Sequence, residues 1–209
     1  SSTLPVTMEA MLHHTAAVVR GAGSALVVAD MPFLSYQISI SEGLRNAGRF
    51  LQEAGADAVK IEGGAFRAEL VRALVQNGIP VLGHIGLTPQ SCNVIGGYKV
   101  QGRTRADADR LVEDATALAA AGVFALVLEC VPPDIAAHVT AAVPVPVIGI
   151  GAGAACDGQV LVMHDLLGLT DRKPPKFVKE YADLAGTVQT AFATYAAEVR
   201  EGVFPAPGH

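Results

Sequence analysis

The chain has 209 residues, 51% of them hydrophobic, with 22 glycines, 12 prolines and no tryptophan, enough to bury one substantial core. A formal net charge of −5, a pI near 5.6 and the lack of a basic run argue against a nucleic-acid partner, which needs clustered Lys and Arg. The longest weakly polar run, 115–128, is too short for a membrane span, and three cysteines at metal-unlike spacings read as reduced thiols of a cytoplasmic protein.

Gly and Pro punctuation divides the sequence into short β-branched runs that alternate with alanine-rich helical patterns. A helix over 8–21 leads to a strand over 25–30 (ALVVAD). Ser39 with Glu42 forms a capping box for a helix over 42–54, which stops at Ala54-Gly55 before the strand 57–62 (DAVKIE). A helix over 66–77 ends at Asn77-Gly78, followed by the strand 80–85 (PVLGHI). Thr104 and Asp107 open a helix over 105–121 that stops at Ala121-Gly122. The strand 125–130 (ALVLEC), a helix over 134–142 and the strands 145–150 (VPVIGI) and 159–164 (QVLVMH) follow. A long helix over 176–201 closes the pattern. Its stripe of Phe177, Tyr181, Leu184, Val188, Phe192, Tyr195 and Val199 suits packing either within the subunit or onto a neighbour.

Near-continuous apolar strands mark a parallel sheet buried on both faces, and the alternation gives an α/β fold. A positional regularity refines this. Asp30 follows Gly23 by seven residues, Glu62 follows Gly55 by seven, Glu129 follows Gly122 by seven, and His84 follows Gly78 by six. Each unit runs helix stop, apolar strand, ionisable residue. In a (β/α)8 TIM barrel all such strand ends converge on one rim, whereas in an open doubly wound sheet only those at the switch point meet. The barrel is the better reading, as a single domain over 1–209. Six strands are legible where a barrel has eight, so the first two strands and first helix, roughly 50 residues of a typical barrel, are expected to be missing from this chain.

The ionisable strand ends are the candidate chemistry. Asp30, before Met31-Pro32, suits a hard metal ion, or caps its loop. Lys60 and Glu62, two apart on one strand, share a face. That pair suits an anionic substrate beside a metal, or forms a structural ion pair. His84 sits in GHIGLTPQS, where Thr88, Gln90 and Ser91 add hydrogen-bonding capacity; alternatively it is a satisfied core histidine. Glu129, in FALVLECVPP, ends a buried strand. A buried carboxylate is costly, and burial would raise its pKa into the range of a general base; alternatively it caps the next helix. GIGAGAACDG at 149–158 contains G-x-G-x-x-A, but a strand pattern rather than a helix follows, so a nicotinamide site is disfavoured.

At this point the sequence resembles a known family. STLPVTMEAMLHHT, LVVADMPF, VKIEGG, GHIGLTPQS, GGYKVQGR, LVLECVP, IGIGAGAACDGQVLVMHDLLGL and PKFVKEYADLAG are similar to the ketopantoate hydroxymethyltransferases, from Ser2 to about Pro205. The resemblance implies a Mg²⁺-dependent (β/α)8 barrel of pantothenate and coenzyme A synthesis. It implies transfer of a hydroxymethyl group from 5,10-methylenetetrahydrofolate to 3-methyl-2-oxobutanoate after enolisation of the metal-bound 2-oxo acid. By the same resemblance Asp30 and Glu62 serve the metal, Asp30, Lys60 and His84 contact the substrate, and Glu129 removes the C3 proton. A cytoplasmic homo-oligomer, a decamer in bacteria, is implied too, as is a further N-terminal GDS motif that does not occur in this sequence. A carbon–carbon lyase of the phosphoenolpyruvate/isocitrate-lyase type and a non-catalytic barrel remnant are the competing readings.

Overall fold

A computed structural model describes residues 2–170 and 173–209. They form two compact units, divided between Gln159 and Val160.

The first unit runs α1 (Met8–Gly21), β1 (Val28–Asp30), α2 (Ile40–Gln52), β2 (Ala58–Glu62), α3 (Ala68–Gln76), β3 (Val81–Gly86), α4 (Cys92–Ile95), α5 (Arg105–Ala121), β4 (Ala125–Glu129), α6 (Pro133–Ala142), β5 (Val147–Ile150) and β6 (Gly158–Gln159). Two of its helices, α2 and α5, start at the caps the sequence places. Ser39 Oγ accepts from the Glu42 N–H at 3.2 Å, and Thr104 Oγ1 accepts from the Asp107 N–H at 3.2 Å while donating to the Asp107 carboxylate at 2.7 Å. α5 ends at Gly122, whose φ of 105° is the left-handed backbone a helix stop favours.

The strands form one sheet in the order β1-β2-β3-β4-β5-β6, every neighbour parallel. Sequential order with right-handed crossovers puts every connecting helix on one face. Successive helices accordingly pack side by side, α1 on α2, α2 on α3, α3 on α5 and α5 on α6. The opposite face is the one a barrel would turn inward. Between sheet and helices lies a core of Phe50, Val59, Leu74, Leu118, Leu126 and Val147, none exposed at all. Two aspartates tie strand starts with the same device. Asp57, just before β2, accepts from the Val27 N–H at 2.8 Å, and Asp157, just before β6, accepts from the Val147 N–H at 2.8 Å.

Two expected elements differ. Of the strand predicted over 159–164, only Gln159 is paired; Val160 and Val162 are exposed and a short helix, α7 (Met163–Leu166), follows. Among the described residues β6 has a single neighbour, which leaves one side of its ladder unpaired, and apolar content alone does not supply a pairing strand. In the second unit the long helix is α8 (Leu184–Glu201) and begins eight residues later than predicted. Asp183 caps it, accepting from the Gly186 N–H at 2.9 Å, so a local cap overrides the apolar period through Phe177 and Tyr181. The stripe residues Val188, Phe192, Tyr195 and Val199 are exposed. Among the described residues no helix is long and apolar enough to cross a membrane.

Candidate active site

Register assembles the site. Asp30 pairs with Lys60 across β1 and β2, Glu62 with His84 across β2 and β3, and Gly86 with Glu129 across β3 and β4. All five predicted side chains meet at the C-terminal ends of four adjacent strands. Lys60 is the hub: its Nζ lies 2.8 Å from Asp30 Oδ1, 3.2 Å from His84 Nδ1 and 4.0 Å from Glu62 Oε1. On the far side of the imidazole, His84 Nε2 lies 3.1 Å from Glu129 Oε2.

An ammonium only donates, so His84 Nδ1 accepts from Lys60 and the ring proton of a neutral imidazole sits on Nε2, facing Glu129. His84 is held neutral because burial, and then the Lys60 charge, push its pKa well below the usual value. The Nε2 contact with Glu129 is close but off the hydrogen-bonding line, which leaves Nε2 without an aligned partner. Asp30 Oδ1 is likewise buried without an aligned hydrogen bond despite the nearness of Lys60.

Burial drives the two interior carboxyls upward. Glu62 reaches about 7, mainly by desolvation, with Lys60 and the Gln90 N–H opposing. Glu129 also reaches about 7, again by desolvation first, with Lys60 opposing. Near neutrality both exchange protons readily, the condition for acid–base work.

The backbone around Glu129 is constrained. Its carbonyl accepts from the Leu87 N–H at 2.8 Å, and Gly86, at φ 86°, leaves no room for a side chain against that carbonyl. Cys130 follows at φ 49°, a left-handed conformation that costs a non-glycine residue on the order of 1–2 kcal/mol. The strand ends at Glu129, and the turn begins with the next residue.

Sequence reasoning missed Tyr36 and saw Gln90 only as a polar loop residue. Tyr36 is 2% exposed; its hydroxyl accepts from the Glu62 N–H at 3.0 Å and donates to Gln90 Oε1 at 2.9 Å. It lies in an irregular loop after Asp30, where no periodicity signals burial. A cavity of about 350 Å³ opens beyond β2 and β3, lined by Gly63, Gly64, Ile85, Thr88 and Ser91 among others. None of the five ionisable site residues lines it. It lies on the Ile85 side of β3, the face opposite His84.

The donor set bears on a metal. Among the described residues no three of His, Cys, Asp and Glu form a metal-binding group. Mg²⁺ does not need one, since it is usually held by one or two carboxylates and completes its shell with water and substrate oxygens. Asp30 Oδ1 has no aligned hydrogen bond, and Glu62 Oε1 has Lys60 and His84 only at 4.0 and 3.8 Å. Both oxygens face one point, where Asp30 Oδ1 is ion-paired with Lys60 at 2.8 Å; two carboxylates gathered around a cation are the donors a hard metal ion takes, and the residues fit such an ion.

Known proteins converge on the same reading. The family model described as ketopantoate hydroxymethyltransferase matches residues 1–207. The chain is 61% identical to the 3-methyl-2-oxobutanoate hydroxymethyltransferase of Moorella thermoacetica over 209 residues, which is 100% of this chain and 78% of that protein. It is 61% identical to the enzyme of the same name from Carboxydothermus hydrogenoformans, covering 100% of this chain and 75% of that one. The corresponding figures for Syntrophus aciditrophicus are 58%, 100% and 76%. With motifs, strand order and relatives in agreement, the chain belongs to the ketopantoate hydroxymethyltransferase family.

Proposed function

We propose that the chain transfers a hydroxymethyl group from 5,10-methylenetetrahydrofolate to 3-methyl-2-oxobutanoate, giving 2-dehydropantoate for pantothenate and coenzyme A synthesis. The observation that carries the mechanism is the Glu129 carboxyl. It is partly buried, is raised to about 7 by desolvation, and touches an imidazole that is kept neutral.

Asp30 and Glu62 would hold a Mg²⁺ ion, which when bound supplies Lewis-acid polarisation of the keto oxygen. Lys60, the cation at the centre of the cluster, binds the substrate carboxylate by a charge-assisted hydrogen bond. Glu129 in its ionised form removes the proton from C3, so the C3–H bond breaks and its electron pair moves into the enolate. The neutral His84 offers its Nε2 proton to Glu129 or to a substrate oxygen without adding a positive charge that would depress the base. C3 then attacks the one-carbon unit of the folate. A carbon–carbon bond forms, both carbon–nitrogen bonds of the folate's bridging methylene break, and water supplies the hydroxyl group, while the two folate nitrogens take up the second water proton and the proton removed from C3.

We infer further that the sheet is the wall of a (β/α)8 barrel. The sequential parallel order supports this, and the edges β1 and β6 are where further strands would add. A cytoplasmic homo-oligomer completes the reading, as the family resemblance implies.

The test is product formation followed by mass spectrometry. 2-Dehydropantoate should form only with the 2-oxo acid, 5,10-methylenetetrahydrofolate and Mg²⁺ together. Product formation without folate, or none under any condition, overturns the assignment.

A further inference from the structure

Gln90 has no part in the chemistry above, yet it is the residue where the two carboxylate-bearing strand ends are joined. Its side-chain Nε2 donates to the Met31 carbonyl at 2.8 Å, in the residue directly after Asp30. Its backbone N–H donates to Glu62 Oε2 at 2.9 Å. Its Oε1 accepts from the Tyr36 hydroxyl and from Gln37 Nε2, both at 2.9 Å, and the same hydroxyl accepts from the Glu62 N–H at 3.0 Å. Gln90 is 8% exposed and Tyr36 2%. Both lone pairs of the Gln90 carbonyl are used, and a buried polar group left unpaired costs about 1–3 kcal/mol, so the network stands or falls as a unit.

What the network leaves free is as informative as what it holds. It engages Glu62 through Oε2 and leaves Oε1 beyond hydrogen-bonding reach of any neighbour named above. It grips the chain after Asp30 through the Met31 carbonyl and leaves Asp30 Oδ1 without an aligned hydrogen bond. Glu62 Oε1 and Asp30 Oδ1 flank one cation, the Lys60 ammonium, at 4.0 and 2.8 Å, the second in an ion pair. A neutral amide achieves this without a charge that would compete for either oxygen.

We propose that Gln90 is a positioning residue which, with Tyr36, sets the separation of Asp30 and Glu62 so that both reach one divalent cation. This rests on the metal role proposed for those two carboxylates.

The test is Mn²⁺ binding by the full chain, read by electron paramagnetic resonance with the metal alone. The proteins are wild type, Gln90→Leu, Tyr36→Phe, Asp30→Asn and the double variant Gln90→Leu/Asp30→Asn. Partners that orient metal ligands are worth about 10–100-fold in affinity. Gln90→Leu should therefore weaken Mn²⁺ binding by about 10–100-fold and Tyr36→Phe by about tenfold, both with cooperative thermal unfolding retained. The double variant should bind no more weakly than Asp30→Asn, because a separation ceases to matter once one of its ends is gone. Wild-type affinity in a folded Gln90→Leu, or additive losses in the double variant, would overturn the positioning role. If Gln90→Leu does not fold, Tyr36→Phe alone and combined with Asp30→Asn decides by the same criteria. A wild-type chain that binds no Mn²⁺ overturns the metal role itself, and the inference with it.

Discussion

Glu129→Gln should make the protein more stable while making it inactive. The substitution keeps the shape of the side chain and removes its charge. Burial carries the Glu129 carboxyl from 4.5 to about 7, and each pH unit of displacement corresponds to about 1.36 kcal/mol. The folded pKa is the higher one, so the folded state holds its proton longer than the unfolded state. Stability from this group is therefore greatest below 4.5, falls as pH rises to about 7 and is level beyond. Removing the charge should return roughly 3 kcal/mol at pH 8 but less than about 1 kcal/mol at pH 5. Urea denaturation of both proteins in metal-free buffer at the two pH values measures this. A variant no more stable than wild type at pH 8, or a gain that does not change with pH, would refute the claim that the site strains a buried carboxylate. Catalysis should fall by about 10²–10⁴-fold in the same variant, the usual worth of a positioned base.

Other consequences follow from neighbouring contacts. Lys60→Met removes the cation 2.8 Å from Asp30 and should raise KM for the 2-oxo acid by about 10–100-fold, the worth of a charged hydrogen bond of roughly 1.5–3 kcal/mol, measured by steady-state kinetics. Gly86→Ala forces a side chain onto a φ of 86° and against the Glu129 carbonyl. It should cost about 2–5 kcal/mol in chemical denaturation and displace the base. Mg²⁺ at 100 times its dissociation constant should stabilise the chain by about 2.7 kcal/mol, seen as a rise in Tm that EDTA reverses and that Asp30→Asn abolishes.

The five ionisable residues were legible in the sequence for one reason. Asp30, Glu62, His84 and Glu129 each follow a helix stop by six or seven residues, and Lys60 lies two before Glu62 on the same strand face; parallel strands of similar length bring such positions level. The caps at Ser39 and Thr104 were equally local and equally legible. Tyr36 was not, because its burial comes from contacts with Glu62 and Gln90, 26 and 54 residues away, in a loop without periodicity. The side-chain role of Gln90 was hidden likewise, since its partner Met31 is 59 residues distant. The strand over 159–164 was over-read because QVLVMH has a strand's composition, while pairing depends on a neighbour that composition does not supply. The start of α8 was misplaced because a three–four apolar spacing continues through Phe177 and Tyr181, whereas the Asp183 cap sets the first turn.

The central claim is that Glu129 enolises a metal-held 2-oxo acid. Its most direct test is proton NMR of 3-methyl-2-oxobutanoate in D₂O with the protein and Mg²⁺ but no folate, following the C3 proton signal. Loss of that signal is expected with wild type, dependent on Mg²⁺ and absent with Glu129→Gln. Persistence of the signal with wild type, or equal exchange by the variant, would contradict it.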